Sequence, residues 1–299
     1  MPEIPYTPKG TPIEEIVDFD GASFKTTTWK VPLSTKYLGK IIYVHGFMEH
    51  ASIYTEFFDN LSQNGFEVFF FDQRGAGDTS PGPLLGLTDE HHTFNDLDFM
   101  IKRSLEQRTD KTEKFFLLGH SMGGGIVLNY GIRGKYKEHI KGIVACAPLV
   151  SLHPKTRPNF VVQKLSPLLA KFLPRVQIDT KLNYDYVTSN ERWKNYIKQL
   201  DKKLIGSLRQ LYDMFQRGEA LEKPDYVRKF DPDISLLVVH GDRDYINDIE
   251  GTKKFFGLLS NNIDKKFVPI KGGRHSLFIE REEIHEPVLK EVLEFLRAH

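Results

Sequence analysis

The stretch Lys114-Phe-Phe-Leu-Leu-Gly-His-Ser-Met-Gly-Gly-Gly-Ile-Val-Leu-Asn-Tyr-Gly131 decides the fold of this chain. Its first six residues form a short apolar run that predicts a buried strand, and residues 122–131 predict a helix. Glycines on both sides of Ser121 allow a tight turn and a close approach of the helix to the strand. A Gly-x-Ser-x-Gly motif in a strand–turn–helix setting is typical of a serine that is presented as a nucleophile above the edge of a sheet.

Short apolar runs and longer amphipathic segments alternate on both sides of this turn. The alternation predicts an α/β protein with a mostly parallel central sheet and helices on both of its faces. We predict strands over 40–45, 66–72, 114–119, 141–147, 234–240 and 266–270, and helices over 52–64, 94–107, 122–131, 249–259 and 283–298.

Residues 149–230 interrupt this alternation. They contain 16 Lys and Arg against 8 Asp and Glu, a net charge of +8, whereas the whole chain has a net charge of +1. We therefore predict that residues 1–148 and 231–299 form the core and that 149–230 form an inserted helical cap. The cap should cover the carboxyl ends of the strands, where open α/β sheets bind ligands.

Composition excludes several classes of protein. With 41 Lys and Arg against 40 Asp and Glu, the chain of 299 residues is not a globally basic nucleic-acid binder. A single cysteine, Cys146, excludes a disulfide framework and a Cys-rich zinc site, and we predict no metal site. The N-terminus lacks the apolar region of a secretory signal, and the longest uncharged apolar stretch, 142–152, is too short to span a membrane. We expect an intracellular protein that is at most membrane-associated.

A serine nucleophile needs a base, and the order of residues along the chain narrows the choice. In hydrolases with this motif, the order is Ser, then Asp or Glu, then His. His275 follows the last predicted strand in a Gly-Gly-Arg-His loop, whereas the later His285 and His299 belong to the predicted final helix. We therefore predict His275 as the base that accepts the proton of Ser121.

The third member of a catalytic triad orients the histidine and stabilises its cation. Asp242, Asp244 and Asp248 all follow the predicted strand 234–240. We predict Asp244 for this role and keep Asp242 as the alternative. Asp248 better suits the N-cap of the next helix.

Acyl transfer also requires hydrogen-bond donors for the oxyanion that develops in the transition state. The backbone N–H of Met122 directly follows the nucleophile. The second donor should come from the loop after the strand 40–45, and we predict the N–H of Phe47.

Six segments spread over nearly the whole chain carry a family resemblance. They are Val44-His-Gly-Phe-Met-Glu-His50, Phe71-Asp-Gln-Arg-Gly-Ala-Gly77, Gly119-His-Ser-Met-Gly-Gly-Gly125, Ser166-Pro-Leu-Leu-Ala-Lys-Phe-Leu-Pro-Arg175, His240-Gly241 with Asp244, and Arg274-His-Ser276. In these segments the chain resembles the fungal monoacylglycerol lipases of the α/β-hydrolase superfamily. The resemblance implies the α/β-hydrolase fold, with Ser121, Asp244 and His275 as the triad and Phe47 and Met122 as oxyanion donors.

The same resemblance implies an activity. Members of the family hydrolyse monoacylglycerol to glycerol and free fatty acid without a cofactor, and Glu49 would help to hold the glycerol end. The alternatives are a lysophospholipase or a general carboxylesterase with the same machinery, or a non-catalytic binding protein of the same fold.

The segment 161–178 contains Leu168, Leu169 and Phe172 at helical spacing, with basic residues among them. It is either a wall of an acyl tunnel, a short helix that dips into a lipid surface, or plain packing of the cap on the core. We expect the basic cap to make peripheral contact with a membrane or lipid-droplet surface. The expected location is the cytoplasm, at lipid droplets and intracellular membranes.

Overall fold

The computed structural model describes residues 2–181, 183–200 and 203–299. The strands are β1 (Ile13–Phe19), β2 (Ala22–Trp29), β3 (Gly39–Val44), β4 (Phe66–Phe71), β5 (Phe115–His120), β6 (Ile140–Cys146), β7 (Gln177–Asp179), β8 (Ile205–Ser207), β9 (Ser235–Gly241) and β10 (Lys265–Ile270). The α-helices are α1 (Thr55–Gln63), α2 (Glu90–Gln107), α3 (Met122–Arg133), α4 (Phe160–Phe172), α5 (Tyr184–Val187), α6 (Glu191–Leu200), α7 (Leu208–Ala220), α8 (Pro224–Val227), α9 (Ile249–Leu258) and α10 (Glu282–Ala298). Short 3₁₀ turns cover Ala51–Tyr54, Gly82–Leu84, Lys137–His139 and Leu277–Ile279.

Eight strands form one sheet in the order β1-β2-β4-β3-β5-β6-β9-β10. From β4 to β10 all neighbours are parallel, whereas β1 pairs antiparallel with β2 and β2 with β4. The predicted mostly parallel sheet is confirmed. Because parallel strands end at the same edge, the loops after β3, β5, β6 and β9 meet there.

The side chains of each central strand alternate between two apolar layers. On β3, Ile41 and Tyr43 pack on the face covered by α1 and α10, while Ile42 and Val44 pack on the face covered by α2, α3 and α9. All four are at most 1% exposed. A strand buried on both faces is a continuous apolar run, which explains why these strands were predictable from the sequence.

Side-chain caps set the starts of two helices. α2 begins four residues earlier than predicted, since Asp89 accepts a hydrogen bond from the N–H of His92 at 2.9 Å. α4 begins at Phe160 and runs through Pro167, and Asn159 caps it by accepting a hydrogen bond from the N–H of Val162 at 3.0 Å. The N-terminal hairpin of β1 and β2 was not predicted, because the outer strand β1 is mostly exposed and acidic.

The residues between β6 and β9, which we call the insert, form α4 to α8 and the two-stranded antiparallel sheet β7–β8. The helices of the insert differ in how closely they pack against the rest of the protein. In α4, all of which is described, Ala170 alone is buried. In α6, Trp193 and Tyr196 are at most 3% exposed and belong to the same apolar cluster as α1 and α10. The division into a core and a cap stays a prediction. Among the described residues, no helix is long and apolar enough to cross a membrane.

Candidate active site

Ser121 lies in the turn between β5 and α3. Its backbone has φ 55° and ψ −118°, a conformation that residues other than glycine rarely adopt. The neighbouring glycines make the turn possible. A Cβ on Gly123 would lie 1.9 Å from the carbonyl oxygen of Val44, and one on Gly119 would lie 2.4 Å from that of Gly123. Strand, turn and helix therefore pack too closely for any side chain at these two positions.

His275 and Asp244 form a buried hydrogen-bonded pair. Nδ1 of His275 lies 2.8 Å from Oδ2 of Asp244. The other oxygen of Asp244 accepts hydrogen bonds from the N–H groups of Ile246 (2.8 Å) and Asn247 (3.0 Å). Both side chains come from loops at the carboxyl edge of the sheet, after β9 and β10 respectively. The pairing fixes His275 with Nδ1 towards the carboxylate, which leaves Nε2 free to face a substrate.

A second histidine also contacts Asp244. Nε2 of His240 lies 3.1 Å from Oδ2 of Asp244, and its Nδ1 lies 3.0 Å from Oγ1 of Thr252. Burial by itself would raise the pKa of Asp244, but His275 and His240 outweigh it and hold the pKa well below its usual range. The carboxylate is thus ionised and ready to stabilise a cation on His275. Sequence reasoning had not assigned His240 a role.

The other two acidic candidates lie elsewhere. Asp242 is exposed and accepts a hydrogen bond from the N–H of Gly272 at 2.7 Å. Asp248 caps α9 by accepting from the N–H of Glu250 at 3.1 Å. Neither is hydrogen-bonded to His275 in the way that Asp244 is.

Ser121 and His275 line one large cavity of about 810 Å³ between the sheet edge and the insert. Phe47 and Glu49 also line it. Its walls are mainly apolar, with side chains that come from the sheet loops and from the insert. They include Ile53, Leu149, Leu152, Val162, Leu169, Ile178, Leu204, Leu208, Leu211, Met214, Phe215 and Ile246.

The loop that carries Phe47 is held by side chains on both sides. The N–H of Gly46 donates to Oε2 of Glu49 at 2.5 Å. The side-chain amide of Gln73 donates to the carbonyl of His45 at 2.7 Å. Met122 is the first residue of α3, where a helix leaves backbone N–H groups without intrahelical partners. Phe47 and Ser121, which directly precedes Met122, line the same cavity. The role of the two N–H groups as oxyanion donors stays a prediction.

Comparison with known proteins assigns the family. Residues 35–282 match the family model described as serine aminopeptidase, S33. The whole chain is 40% identical to the monoglyceride lipase of Saccharomyces cerevisiae, 98% of which it covers. This chain belongs to the monoglyceride lipase family of α/β-hydrolases.

Solved structures of the monoglyceride lipase family share the whole fold. A soluble variant of the Saccharomyces cerevisiae enzyme, solved with a substrate analog, aligns with a TM-score of 0.94, covering 100% of this chain and 99% of the other. The monoacylglycerol lipase of Paleococcus ferrophilus is 27% identical and aligns with a TM-score of 0.78, covering 92% and 99%. The similarity therefore includes the insert as well as the sheet.

Glu49, expected from the family resemblance to hold glycerol, is occupied within the protein. Its Oε1 lies 2.7 Å from Nδ1 of His120, and Oε2 accepts from Gly46 and from the hydroxyl of Tyr54. Burial by itself would raise the pKa of Glu49, but His120 outweighs it and lowers the pKa. The same pair raises the pKa of His120, although burial by itself would lower it. Glu49 is therefore the partner of His120 and also lines the cavity, and its role in holding glycerol stays a prediction.

The second ring nitrogen of His120 reaches the base. Nε2 lies 3.1 Å from the carbonyl oxygen of His275, and the two rings are 4.8 Å apart. Both nitrogens of His120 therefore face acceptors, which favours the doubly protonated cation. This link between the loop after β3 and the loop that carries His275 was missed at the sequence level, although His120 directly precedes Ser121.

The apolar residues of α4 divide between two faces. Leu169 lines the cavity, as expected of an acyl wall. Leu168 and Phe172, expected beside it, instead lie on the outer face and are 55% and 70% exposed. The physical reason is the helical period: Val162, Ser166 and Leu169 share the inner face, so residues 168 and 172 turn outward.

Proposed function

We propose that this protein hydrolyses monoacylglycerol to glycerol and free fatty acid through an acyl-enzyme on Ser121. The observation that carries the proposal is that Ser121 and the Asp244-paired His275 line one apolar cavity. The full-length similarity to monoglyceride lipases supports the choice of substrate.

In the acylation step, Oγ of Ser121 attacks the ester carbonyl carbon while Nε2 of His275 accepts the hydroxyl proton. The N–H groups of Phe47 and Met122 donate to the oxyanion of the tetrahedral intermediate. His275 then gives the proton to the departing glycerol oxygen, the ester bond breaks, and the acyl group stays on Ser121. Asp244 stabilises the histidine cation throughout.

Deacylation repeats the sequence with water as the nucleophile. His275 accepts a proton from the water, the hydroxide attacks the acyl-enzyme carbonyl, and the proton returns to Oγ of Ser121 as the fatty acid leaves. The reaction consumes one water and restores the enzyme. It needs no redox or group-carrying cofactor.

The cavity suits a single acyl chain. Its volume of about 810 Å³ is within the range of ligand pockets, and its apolar walls match an alkyl chain. The apolar wall contributed by Leu169, Leu211 and Phe215 belongs to the insert. We infer that residues 149–230 of the insert form the predicted cap. The cap then selects substrates by the shape of the cavity.

The outer face of α4 supports peripheral contact with lipid. Phe160, Leu165, Leu168 and Phe172 are 45–70% exposed along one side of the helix. Lys164 and Lys171 lie over the rings of Phe160 and Phe172, at 4.7 and 5.6 Å. An exposed apolar stripe with basic residues along it is typical of a helix that binds in the plane of a membrane interface. We propose that this face rests on intracellular membranes or lipid droplets.

A phosphonate that reacts with activated serines tests the chemical part of the proposal. We expect the wild-type protein to be labelled at Ser121 and the Ser121→Ala variant to remain unlabelled. His275→Gln should slow labelling strongly, because Ser121 would lose its base. A folded wild-type protein that is not labelled would overturn the proposed mechanism.

A further inference from the structure

The carboxylate of Glu280 lies between the insert and the loop that carries His275. The side chain is buried, 2% exposed. Oε1 accepts hydrogen bonds from the N–H groups of Ser189 and Arg274, both at 3.1 Å. Oε2 accepts from the hydroxyl of Ser189 at 2.5 Å and from the N–H of Arg281 at 3.2 Å. A buried carboxylate with four donors is fully satisfied, and here the donors come from two distant segments of the chain.

Further hydrogen bonds join the same two segments. They are His275 N to Tyr186 O (3.3 Å), Ser276 N to Val187 O (2.8 Å) and Thr188 Oγ1 to Ile279 O (2.9 Å). The guanidinium of Arg274 adds bonds to the carbonyl oxygens of Asp185 (2.6 Å) and Thr188 (2.9 Å). We call this set of contacts between residues 185–190 and 274–281 the seam.

The insert side of the seam is fixed to the core. Trp193, on the next helix, is 1% exposed, and its indole N–H donates to Glu56 of α1 at 3.2 Å. Val187 is also part of the apolar cluster that contains Trp193. The segment 185–190 is therefore attached to the core through Val187 and through the helix that follows it.

His275 is held from three directions. Its ring is held by Asp244, and its carbonyl oxygen by Nε2 of His120. Its backbone N–H is held by Tyr186, which belongs to the insert. Of these three hydrogen bonds, the one between the N–H of His275 and the carbonyl oxygen of Tyr186 belongs to the seam.

We propose that Glu280 is a positioning residue for His275 and acts through Ser189 of the insert. By fixing Ser189 to the N–H groups of Arg274 and Arg281, it sets the register in which the His275 backbone pairs with Tyr186. The correct register places Nδ1 of His275 against Asp244 and Nε2 in the cavity. The inference rests on the proposed role of His275 as the catalytic base.

The test compares Glu280→Gln with a matched control, Glu67→Gln. Glu67 is also a buried carboxylate, 9% exposed, but it lies at the start of β4, away from the active site, where it pairs with Lys30 and Lys40. The substrate is p-nitrophenyl butyrate, which is soluble and avoids any effect of lipid surfaces. We expect Glu280→Gln to lower kcat between about 10- and 100-fold with KM within about twofold of wild type, since a misplaced base costs rate and not binding. Glu67→Gln should keep kcat within about twofold when both are assayed well below their melting temperatures.

A double-mutant cycle shows whether Glu280 acts through Ser189. Ser189→Ala should slow the wild type, and it should have a much smaller effect in the Glu280→Gln background. Equal effects in both backgrounds, or a folded Glu280→Gln variant as fast as Glu67→Gln, would overturn the proposal. If Glu280→Gln does not fold, Ser189→Ala decides alone: a fall in kcat of about threefold or more supports the proposal, and an unchanged kcat overturns it.

A readout that does not depend on turnover separates this proposal from the proposed function. The Nδ1 proton of His275, identified by its loss in both Asp244→Asn and His275→Gln, should give a downfield proton resonance. It should shift or broaden in Glu280→Gln and stay in place in Glu67→Gln. An inactive wild type with this shift would contradict the proposed function alone, whereas an active wild type without the shift would contradict the positioning role alone.

Discussion

The carboxylate of Glu49 lies 2.7 Å from Nδ1 of His120, directly behind the nucleophile turn. The pair is nearly enclosed, with the side chain of His120 1% exposed and that of Glu49 14% exposed. Through His120 it reaches the carbonyl oxygen of His275, and through Glu49 it reaches the N–H of Gly46. One charge pair therefore ties the loop after β3 to the loop that carries His275.

Replacing Glu49 by Gln should destabilise the protein by about 3–5 kcal/mol, because it leaves a buried histidine without its counter-ion. The loss should depend on pH. Because the pKa of Glu49 is lowered in the folded protein, the stabilisation by its carboxylate is fully present above pH 4.5, its ordinary pKa. That stabilisation is lost as the pH falls further. Because the pKa of His120 is raised in the folded protein, the stabilisation by its cation is fully present below pH 6.5, its ordinary pKa. That stabilisation is lost as the pH rises through the folded-state pKa.

The difference in unfolding free energy between the wild type and Glu49→Gln should therefore be largest between pH 4.5 and 6.5. Denaturant titrations at pH 5.5 and 9 measure it. Tyr54→Phe is the control, since it removes an uncharged donor to Glu49, and the carboxylate is ionised at both pH values, so the cost should be nearly the same at both. An equal loss at pH 5.5 and 9 for Glu49→Gln would contradict the charge pair.

Replacing Asp244 by Asn should lower kcat by about 10⁴, the size of effect that the same change has in serine proteases, because the amide favours the wrong tautomer of the base. Ester turnover by the purified variant measures this. Asp242→Asn is the matched control, because Asp242 is exposed and hydrogen-bonded to Gly272. Loss of activity in Asp242→Asn, with Asp244→Asn active, would reverse the assignment.

Two glycines in helices should respond oppositely to alanine. At Gly123 the new Cβ would meet the backbone oxygens of Val44 and His45 at 1.9 and 2.6 Å, so we expect a loss of about 1–3 kcal/mol or more and of nearly all activity. At Gly257 of α9 nothing lies within 4 Å, so alanine should stabilise the protein by up to about 1 kcal/mol. Thermal unfolding and ester turnover measure both variants. An active, stable Gly123→Ala would show that the turn is looser than described.

Replacing Leu168 and Phe172 together by Gln should weaken binding to vesicles and leave turnover of a soluble ester unchanged, because both side chains lie outside the cavity. Co-sedimentation with vesicles that contain anionic lipid measures binding. Added salt should weaken the binding of the wild type, since each basic residue near the surface contributes about 1 kcal/mol. Ile16→Gln, an equally exposed apolar site on β1, should bind like the wild type. Unchanged vesicle binding by the double variant would remove α4 as the membrane contact.

The sequence predicted the parts of the molecule that depend on local pattern. The buried strands are continuous apolar runs, and the turn at Ser121 requires glycines that are visible in the motif. Chain order singled out His275 and left three aspartates as candidates. The structure places the predicted one, Asp244, 2.8 Å from His275.

Relations between distant segments could not be predicted in the same way. The outward direction of Leu168 and Phe172 depends on how α4 lies against the cavity, which places Leu169 on the inner face. The contacts of His120 and Glu280 join residues that are 71 and 91 positions away in the chain. Neither the apolar period nor a local motif encodes such pairs.

The most direct test of the central claim is fatty-acid release from monooleoylglycerol, dioleoylglycerol and lysophosphatidylcholine, measured side by side with Ser121→Ala as the blank. The account predicts strong preference for monooleoylglycerol and no release by Ser121→Ala above a residual background. Equal or faster hydrolysis of lysophosphatidylcholine would contradict the substrate assignment while leaving the Ser121 mechanism in place. Release by Ser121→Ala at the wild-type rate would contradict the mechanism itself.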